Sequence, residues 1–117
     1  MLIGQSLVIP GSGTPGVRYY GPWMPRQGDA FTAVIQVLGQ SSTGWSLVLE
    51  VQTKNQEDSD AAASTLSNTV TVTTSNSTST VKNTKVKELV RCCLVCTGGG
   101  TDRWLHVRIN PILWQPN

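Results

Sequence analysis

The stretch from Trp45 to Gln52, Trp-Ser-Leu-Val-Leu-Glu-Val-Gln, decides the fold class of this chain. Its odd-numbered positions are all apolar, and its even-numbered positions are polar except for Val48. Alternation of this kind is typical of a β-strand with one buried face, because successive side chains of a strand point to opposite sides of the sheet. The stretch therefore predicts a strand whose odd-numbered side chains face a hydrophobic core.

Other runs of alternating apolar residues lie on either side of this stretch. Phe31–Leu38 is separated from Trp45–Gln52 by a turn cluster of Gly, Ser and Thr, so these two runs are predicted to pair as an antiparallel hairpin. Lys87–Cys96 and Asp102–Ile109 are separated by the Gly-rich turn Thr97–Thr101, and they are likewise predicted to be partner strands. Shorter extended segments are predicted at Leu2–Ile9, Val17–Tyr20, Asn68–Thr74 and Val81–Lys85.

The composition favours strands and polar turns over helices. The 117 residues include 11 Gly and 6 Pro, and only 14% of the residues are charged. Short strands with Gly-rich turns indicate an all-β protein, either a single antiparallel β-sandwich (jelly-roll or immunoglobulin-like) or a small barrel. Residues 1–30 are predicted to be an extended Gly/Pro-rich arm, residues 31–109 the β-sandwich domain, and residues 110–117 an extended C-terminal tail.

The same alternation predicts which side chains form the core, because the apolar positions of each run share one face. The predicted core residues are Phe31, Ile35, Val37, Trp45, Leu47, Leu49, Val51, Leu105, Val107 and Ile109.

The three cysteines, Cys92, Cys93 and Cys96, lie together in one predicted strand. On a strand, Cys92 and Cys96 share one face about 13 Å apart, which is too far for a disulfide or a shared metal ion. A closed zinc site needs four ligands, and the chain offers only these thiols and one histidine. We therefore expect reduced thiols that pack as small apolar side chains, with no bound metal.

The segment Thr53–Thr65 is predicted to be a polar loop, within which the residues from Ala61 to Ser64 can form one helical turn. Glu57, Asp58 and Asp60 are close in sequence, and clustered carboxylates are ligands that Ca²⁺ prefers. Their spacing does not match an EF-hand loop, so solvated loop charges are the favoured interpretation and no metal site is predicted.

Several function classes lack a sequence signal. The net charge of +2 is small and the basic residues are scattered, which argues against nucleic-acid binding. No stretch approaches the ~18 apolar residues of a membrane span, and no signal-peptide pattern follows Met1, so we expect assembly in a reducing cytoplasm. The single histidine, His106, has Asp102 nearby, but no serine lies in a nucleophile-elbow context. The sequence therefore predicts no catalytic residue and no cofactor.

The chain has four tryptophans, a high number for its length. Trp23 and Trp114 lie in Pro-bounded terminal segments, where a large aromatic side chain either covers the end of its own sandwich or becomes buried against a partner. The sequence leaves both alternatives open. For the second alternative, the candidate interface residues are Trp23, Met24, Arg26, Ile112, Leu113 and Trp114.

In its overall plan the chain resembles the small accessory capsid proteins of tailed bacteriophages. Three features carry the resemblance. The first is Gly-Pro-Trp-Met-Pro-Arg-Gln-Gly-Asp at 21–29, and the second is the predicted hairpin at 31–52 followed by Glu-Asp-Ser-Asp at 57–60. The third is Lys-Glu-Leu-Val-Arg at 87–91, which leads to Trp-Leu-His-Val-Arg at 104–108 and Trp-Gln-Pro-Asn at 114–117. It implies a structural virion protein, a decoration or cement subunit that stabilises the head shell. The implied partners are further copies of the chain, as a trimer, and a major capsid protein, without direct contact with nucleic acid or membrane.

A carbohydrate-binding or adhesive β-sandwich is the alternative. Such proteins stack sugar rings on exposed aromatic side chains. The aromatic residues that can supply such a platform are Tyr19, Tyr20, Trp23 and Trp104.

Overall fold

The computed structural model describes residues 6–10, 17–66, 68–74, 76–98 and 104–115. The predicted strand at Leu2–Ile9 is therefore described only from Ser6 onward. The predicted turn at Thr97–Thr101 is described only as far as Gly98, and Asp102 also lies outside the described residues.

The described residues form eleven strands in two antiparallel sheets. The first sheet has the order β1-β10-β4-β11, with β8 also paired to β4, and the second has the order β2-β9-β5-β6, with β3 paired to β9 and β7 to β5. The strands are β1 (Ser6–Pro10), β2 (Val17–Tyr20), β3 (Met24–Pro25), β4 (Ala30–Gln40), β5 (Trp45–Lys54), β6 (Ser64–Thr65), β7 (Val70–Val72), β8 (Ser77–Thr84), β9 (Leu89–Gly98), β10 (Trp104–Ile109) and β11 (Leu113–Gln115).

The predicted all-β sandwich is confirmed. Within the described ranges, the one helical element is a 3₁₀ turn at Asp60–Ala62, which overlaps the helical turn predicted from the sequence. No helix in this part of the chain is long and apolar enough to cross a membrane.

The two predicted hairpins are wrong. β4 and β5 lie in different sheets, and so do β9 and β10. Instead, β5 pairs with β9 along its whole length, while β4 pairs with β8 on one side and with β10 and β11 on the other. The alternation of apolar and polar residues predicts which face of a strand is buried. It does not predict whether the next strand in the chain lies beside that strand in the same sheet or across the core in the other sheet. Here the chain crosses from one sheet to the other between Gln40 and Trp45.

The predicted core is confirmed, because all ten predicted side chains are at most 2% exposed. They form one cluster between the sheets, and Trp45 satisfies its indole N–H by donating to Gln40 Oε1 at 2.8 Å. Burial also extends to the inward positions of β9, since Cys92, Leu94 and Cys96 belong to the same cluster.

The terminal segments contribute strands to both sheets. β1 pairs with β10, β2 and β3 pair with β9, and β11 pairs with β4. In the part of the chain that the structure describes, the predicted arm at 1–30 and the predicted tail at 110–117 are therefore held by main-chain hydrogen bonds to the sandwich itself. The strand β4 begins at Ala30, one residue before the boundary predicted for the domain.

Gly98 ends β9 in a position that only glycine fits. Its φ is +75°, and an added Cβ would lie 2.5 Å from the carbonyl oxygen of Gly44. We expect Gly98→Ala to lower the free energy of unfolding by at least about 1–2 kcal/mol, from the left-handed backbone alone. Gly44→Ala is the matched control, because Gly44 has a φ of +87° but open space around it. Urea unfolding measures both losses. If the two variants lost the same free energy of unfolding, the close approach of the new Cβ at position 98 to the Gly44 carbonyl oxygen would carry no cost.

Candidate functional site

The outer face of the second sheet gathers aromatic and charged side chains. Antiparallel partners point to the same side of a sheet, so the register of β2, β9 and β5 places Tyr20, Arg91 and Gln52 on this face. Trp23 follows β2, and the loop after β5 returns over the sheet to bring Asp60 to the same place. We call this group the Arg91 cluster, and its members are Tyr20, Trp23, Gln52, Lys54, Asp60 and Arg91.

The guanidinium of Arg91 lies over two aromatic rings. Its central carbon is 4.1 Å from the centroid of the Tyr20 ring and 4.4 Å from that of the Trp23 ring. Arg91 Nε also donates to Gln52 Oε1 at 2.8 Å. A cation over an aromatic face is attracted to the ring electrons, and the hydrogen bond fixes the plane of the guanidinium. The two rings are therefore held in a defined orientation.

Asp60 joins the charged and aromatic members of the cluster. Its Oδ1 accepts hydrogen bonds from Lys54 Nζ at 2.7 Å and from Trp23 Nε1 at 3.0 Å, and its Oδ2 lies 3.8 Å from an Arg91 nitrogen. Lys54 Nζ also donates to the carbonyl of Asp58 and lies 4.8 Å from the centroid of the Trp23 ring. The carboxylate therefore connects the loop to the sheet.

The members of the cluster differ in their access to solvent. The side chains of Lys54 and Arg91 are only 9% and 12% exposed, whereas that of Asp60 is 61% exposed. Tyr20 is also open, at 46%. An approaching molecule would therefore meet a carboxylate and an aromatic ring first, with the two cations behind them.

The contacts of Asp60 predict how the cluster responds to acid. The hydrogen bond from Lys54, followed by the nearby charges and Trp23, lowers the pKa of this carboxyl from its usual value of 3.8. A lowered pKa contributes stability that is present above the ordinary value and is lost as the pH falls through the folded-state pKa. We therefore expect the difference in free energy of unfolding between the unmodified protein and the Asp60→Asn variant to shrink below about pH 3.8. A difference in urea midpoint that stayed constant from neutral to acidic pH would contradict this.

A second charged contact lies beside the cluster. Arg18 donates to Glu50 Oε2 at 2.9 Å, and its guanidinium also lies 3.7 Å from Cys93 Sγ. Cys93 faces outward from β9 but is fully buried beneath this contact, and desolvation raises the pKa of its thiol. Burial in the core raises the pKa of Cys92 to about 12. All three cysteines are buried, as the sequence predicted for small apolar side chains.

A groove of about 580 Å³ continues from the loop that carries Asp60. Asn55 and Gln56 of that loop form part of its lining, and Arg26 closes it from the other side by donating to the carbonyl of Val86 at 3.1 Å. The groove is lined by Pro25, Arg26, Asn55, Gln56, Val86, Lys87, Glu88 and Leu89. The loop after β5 therefore contributes both Asp60 of the Arg91 cluster and part of the lining of this groove.

The four aromatic residues predicted to form one platform are separated by the fold. Tyr20 and Trp23 meet at Arg91, whereas Tyr19 points inward and packs against the core. Trp104 lies on β10 in the first sheet, where it is 44% exposed. A single platform of four rings is therefore wrong, because alternate residues of a strand face opposite ways and the two sheets face apart.

The six candidate interface residues occupy different environments. Met24, Ile112 and Trp114 pack against the core, and the Trp114 ring lies 5.7 Å from that of Phe31. Trp114 thus covers its own sandwich, which was one of the two alternatives. Leu113 is 60% exposed, Trp23 belongs to the Arg91 cluster, and Arg26 borders the groove.

The remaining sequence candidates for chemistry do not come together. Within the described ranges, no group of three or more His, Cys, Asp or Glu side chains could hold a metal ion. His106 is half-buried on the outer face of the first sheet, away from the carboxylates of the loop after β5.

Sequence reasoning identified the aromatic members of the cluster and considered Asp60 only as one of three loop carboxylates, and it missed Arg91. Arg91 interrupts a run of apolar residues in β9, and a charge within such a run is the signal that could have singled it out. No signal in the sequence placed Asp60 beside Arg91, because Asp60 lies 31 positions before Arg91 and only the fold brings them together.

Comparison with solved structures reveals a likeness in fold. No protein-family model matches the chain. No curated protein matches it either. The chain is similar to the solved structure of TmCBM61 in complex with β-1,4-galactotriose, with a TM-score of 0.56, 13% sequence identity, and coverage of 94% of this chain and 82% of that chain. At this identity the likeness supports a β-sandwich architecture and extends no further.

Proposed function

We propose that this chain is a carbohydrate-binding β-sandwich and that the Arg91 cluster is its glycan-binding surface. The observation that carries the proposal is the pair of aromatic rings, Tyr20 and Trp23, held by one guanidinium beside an exposed carboxylate. Binding sites for small ligands combine apolar and aromatic side chains with a few fixed polar groups that set orientation. The cluster has both features.

The exposure of the polar groups favours a neutral glycan. Asp60 is the open charged group, and a carboxylate accepts hydrogen bonds from the hydroxyls of a sugar. Lys54 and Arg91 already engage this carboxylate from below, so they are not presented to an anionic ligand. An acidic glycan would meet the negative charge of Asp60 first.

The arrangement is also preorganised for binding. The two rings and the carboxylate are already connected by hydrogen bonds and cation–π contacts in the absence of a ligand. Binding therefore costs little side-chain conformational entropy. The adjacent groove provides polar side chains, including Asn55 and Gln56, along which a longer oligosaccharide can continue. The TmCBM61 structure supports the proposal only by showing a similar sandwich with a bound galactotriose.

Affinity electrophoresis in gels that contain a soluble polysaccharide tests this function. We would compare β-1,4-galactan, xylan, mannan and glucan with acidic pectin and alginate. The proposal predicts that at least one neutral polysaccharide retards the protein, and that the acidic polymers retard it less at physiological salt. No retardation by any neutral polymer, at concentrations where a known binding protein is retarded, would contradict the proposal.

A structural subunit of a virus particle is the second candidate function. Leu113 favours it, because this large apolar side chain is 60% exposed on a terminal strand, where it can contact another subunit. Among the described residues of the terminal segments, Tyr19, Met24, Ile112 and Trp114 pack against the core of their own chain. Sedimentation of the purified protein tests this candidate: a trimer that Leu113→Asp dissociates would support it, and a monomer at all concentrations would contradict it.

A further inference from the structure

The outer face of the first sheet carries an aromatic ring that the Arg91 cluster does not use. Trp104 begins β10, and its backbone N–H donates to Ser41 Oγ at 2.8 Å, while the N–H of Ser41 donates to the Trp104 carbonyl at 3.1 Å. These reciprocal bonds fix the residue against the turn between β4 and β5. Its side chain is nevertheless 44% exposed.

Gly39 makes room for the Trp104 ring on the neighbouring strand. A Cβ added at Gly39 would lie 3.7 Å and 4.0 Å from two carbons of the six-membered ring of Trp104. Gly39 is not among the glycines with positive φ, so its backbone conformation does not require glycine. The space that a side chain at position 39 would occupy borders the indole of Trp104. The six-membered ring of Trp104 therefore lies against Gly39 of β4, and the side chain remains partly exposed to solvent.

A bulge and polar side chains surround this ring. The register between β10 and β4 shifts at His106, so that Leu38 and Gly39 both lie opposite it. Leu38 is 39% exposed, and the Cβ of His106 lies 3.9 Å from the Cβ position of Gly39. Further along the same face, Arg108 Nε donates to Gln36 Oε1 at 3.0 Å. A flat apolar centre is thus bordered by hydrogen-bonding groups.

The size of the apolar surface identifies its occupant. Among the described residues of this face, the exposed large apolar side chains are Trp104, Leu38 and Leu113. Leu113 lies opposite Thr32, near the other end of β4, so the patch around Trp104 consists of Trp104 and Leu38. A whole aromatic side chain presents about 150–250 Å², and less than half of this one is accessible. A stable protein interface needs on the order of 800 Å² from each partner. The patch is therefore too small for a subunit interface, and it matches the face of a single sugar ring.

We propose that Trp104 forms a second sugar-binding surface, independent of the Arg91 cluster, and that the protein is bivalent for neutral glycans. This inference rests on the proposed function. Because the two surfaces lie on the outer faces of opposite sheets, one short oligosaccharide cannot reach both. The protein therefore joins two separate polysaccharide chains.

The indole N–H resonances of the tryptophans test the two surfaces separately by NMR. The probes are the methyl pyranosides of glucose, galactose, mannose and xylose, each titrated into the ¹⁵N-labelled full chain. We expect the Trp23 and Trp104 resonances to shift with different dissociation constants. The Trp45 resonance is expected to stay fixed, because its ring is buried and its N–H is bonded to Gln40. Trp104→Phe assigns the Trp104 resonance without removing an aromatic ring from the surface.

The possible outcomes separate the two proposals. A shift of Trp104 that saturates independently of Trp23 supports the second surface, whether or not Trp23 responds. A shift of Trp23 alone leaves the proposed function standing and overturns the second surface. No shift of either resonance overturns both. A Trp104 resonance that moves with protein concentration and without sugar would identify a contact between copies of the chain and would also overturn the inference.

Turbidity of mixtures of the protein with a polysaccharide tests whether the protein is bivalent. A polysaccharide that retards the protein is expected to form turbid aggregates with the unmodified chain, because each molecule joins two polymer chains. Trp104→Ala is expected to abolish this turbidity while it keeps gel retardation within about twofold, since the Arg91 cluster remains. Undiminished turbidity with this variant would contradict the inference.

Discussion

Replacing Leu49 by Ala is expected to lower the free energy of unfolding by about 2–5 kcal/mol, as buried Leu-to-Ala changes do when a cavity remains. Leu49 is fully buried at the centre of β5, where its neighbours on both sides are strands of the same sheet. The surrounding backbone is held by main-chain hydrogen bonds and cannot collapse into the space. Urea unfolding followed by tryptophan fluorescence measures the loss.

Val48→Ala is the matched control, because Val48 is the next residue of the same strand but lies on the half-exposed outer face. Its loss is expected to be about 1 kcal/mol or less. A loss below about 0.5 kcal/mol for Leu49→Ala would place Leu49 outside the core and would contradict the packing described here.

Replacing Tyr20 by Ala is expected to weaken glycan binding at the Arg91 cluster by about tenfold or more, which corresponds to about 1.4 kcal/mol. Tyr20 is the most exposed aromatic residue of the cluster, and its replacement also removes one of the two rings that the Arg91 guanidinium contacts. Affinity electrophoresis against the polysaccharide that retards the protein measures the change.

Tyr20→Phe keeps the ring and the contact with Arg91, so it is the matched control and should retain most of the affinity. Circular dichroism of both variants would show whether the sandwich is intact, which we expect because Tyr20 ends an edge strand outside the core. If Tyr20→Ala bound as tightly as the unmodified chain, the stacking role of this ring would be wrong.

The elements of the fold were largely predictable, but their arrangement was not. Alternation from Trp45 to Gln52 correctly predicted β5 and its buried face, and the same reasoning located β4, β9 and β10. Pairing depends on which sheet each strand joins, and a short turn of Ser, Thr and Gly is compatible with a hairpin and with a crossing between sheets. The sequence from Gly39 to Gly44 therefore could not distinguish the two.

The terminal segments show a second limit of sequence reasoning. Gly and Pro make the segment before Ala30 look like an arm, because these residues interrupt long strands. The strands there are only 2 to 5 residues long, and they pair at the edges of the sheets, where interruptions are tolerated. The extended segments predicted at Leu2–Ile9 and Val17–Tyr20 correspond to β1 and β2, but their pairing with β10 and β9 was not predictable from so short a pattern.

The candidate site depended on contacts between residues far apart in the chain. Trp23, Asp60 and Arg91 come from three different regions, and only the pairing of β9 with β5 and β3 brings them together. The sequence indicated aromatic residues suited to sugar binding. It could not indicate that Tyr20 and Trp23 would meet over Arg91 or that Trp104 would lie on the opposite sheet.

The central claim is that a neutral glycan binds against the Arg91 cluster, and a crystal structure of the complex tests it most directly. The ligand would be β-1,4-galactotriose first, and otherwise a trisaccharide of the neutral polysaccharide that retards the protein. The account predicts a sugar ring stacked on Tyr20 or Trp23, with a hydroxyl donating to Asp60 at about 2.7–2.8 Å. A trisaccharide bound only at a distance from these three residues, or no bound sugar at a saturating concentration, would contradict it.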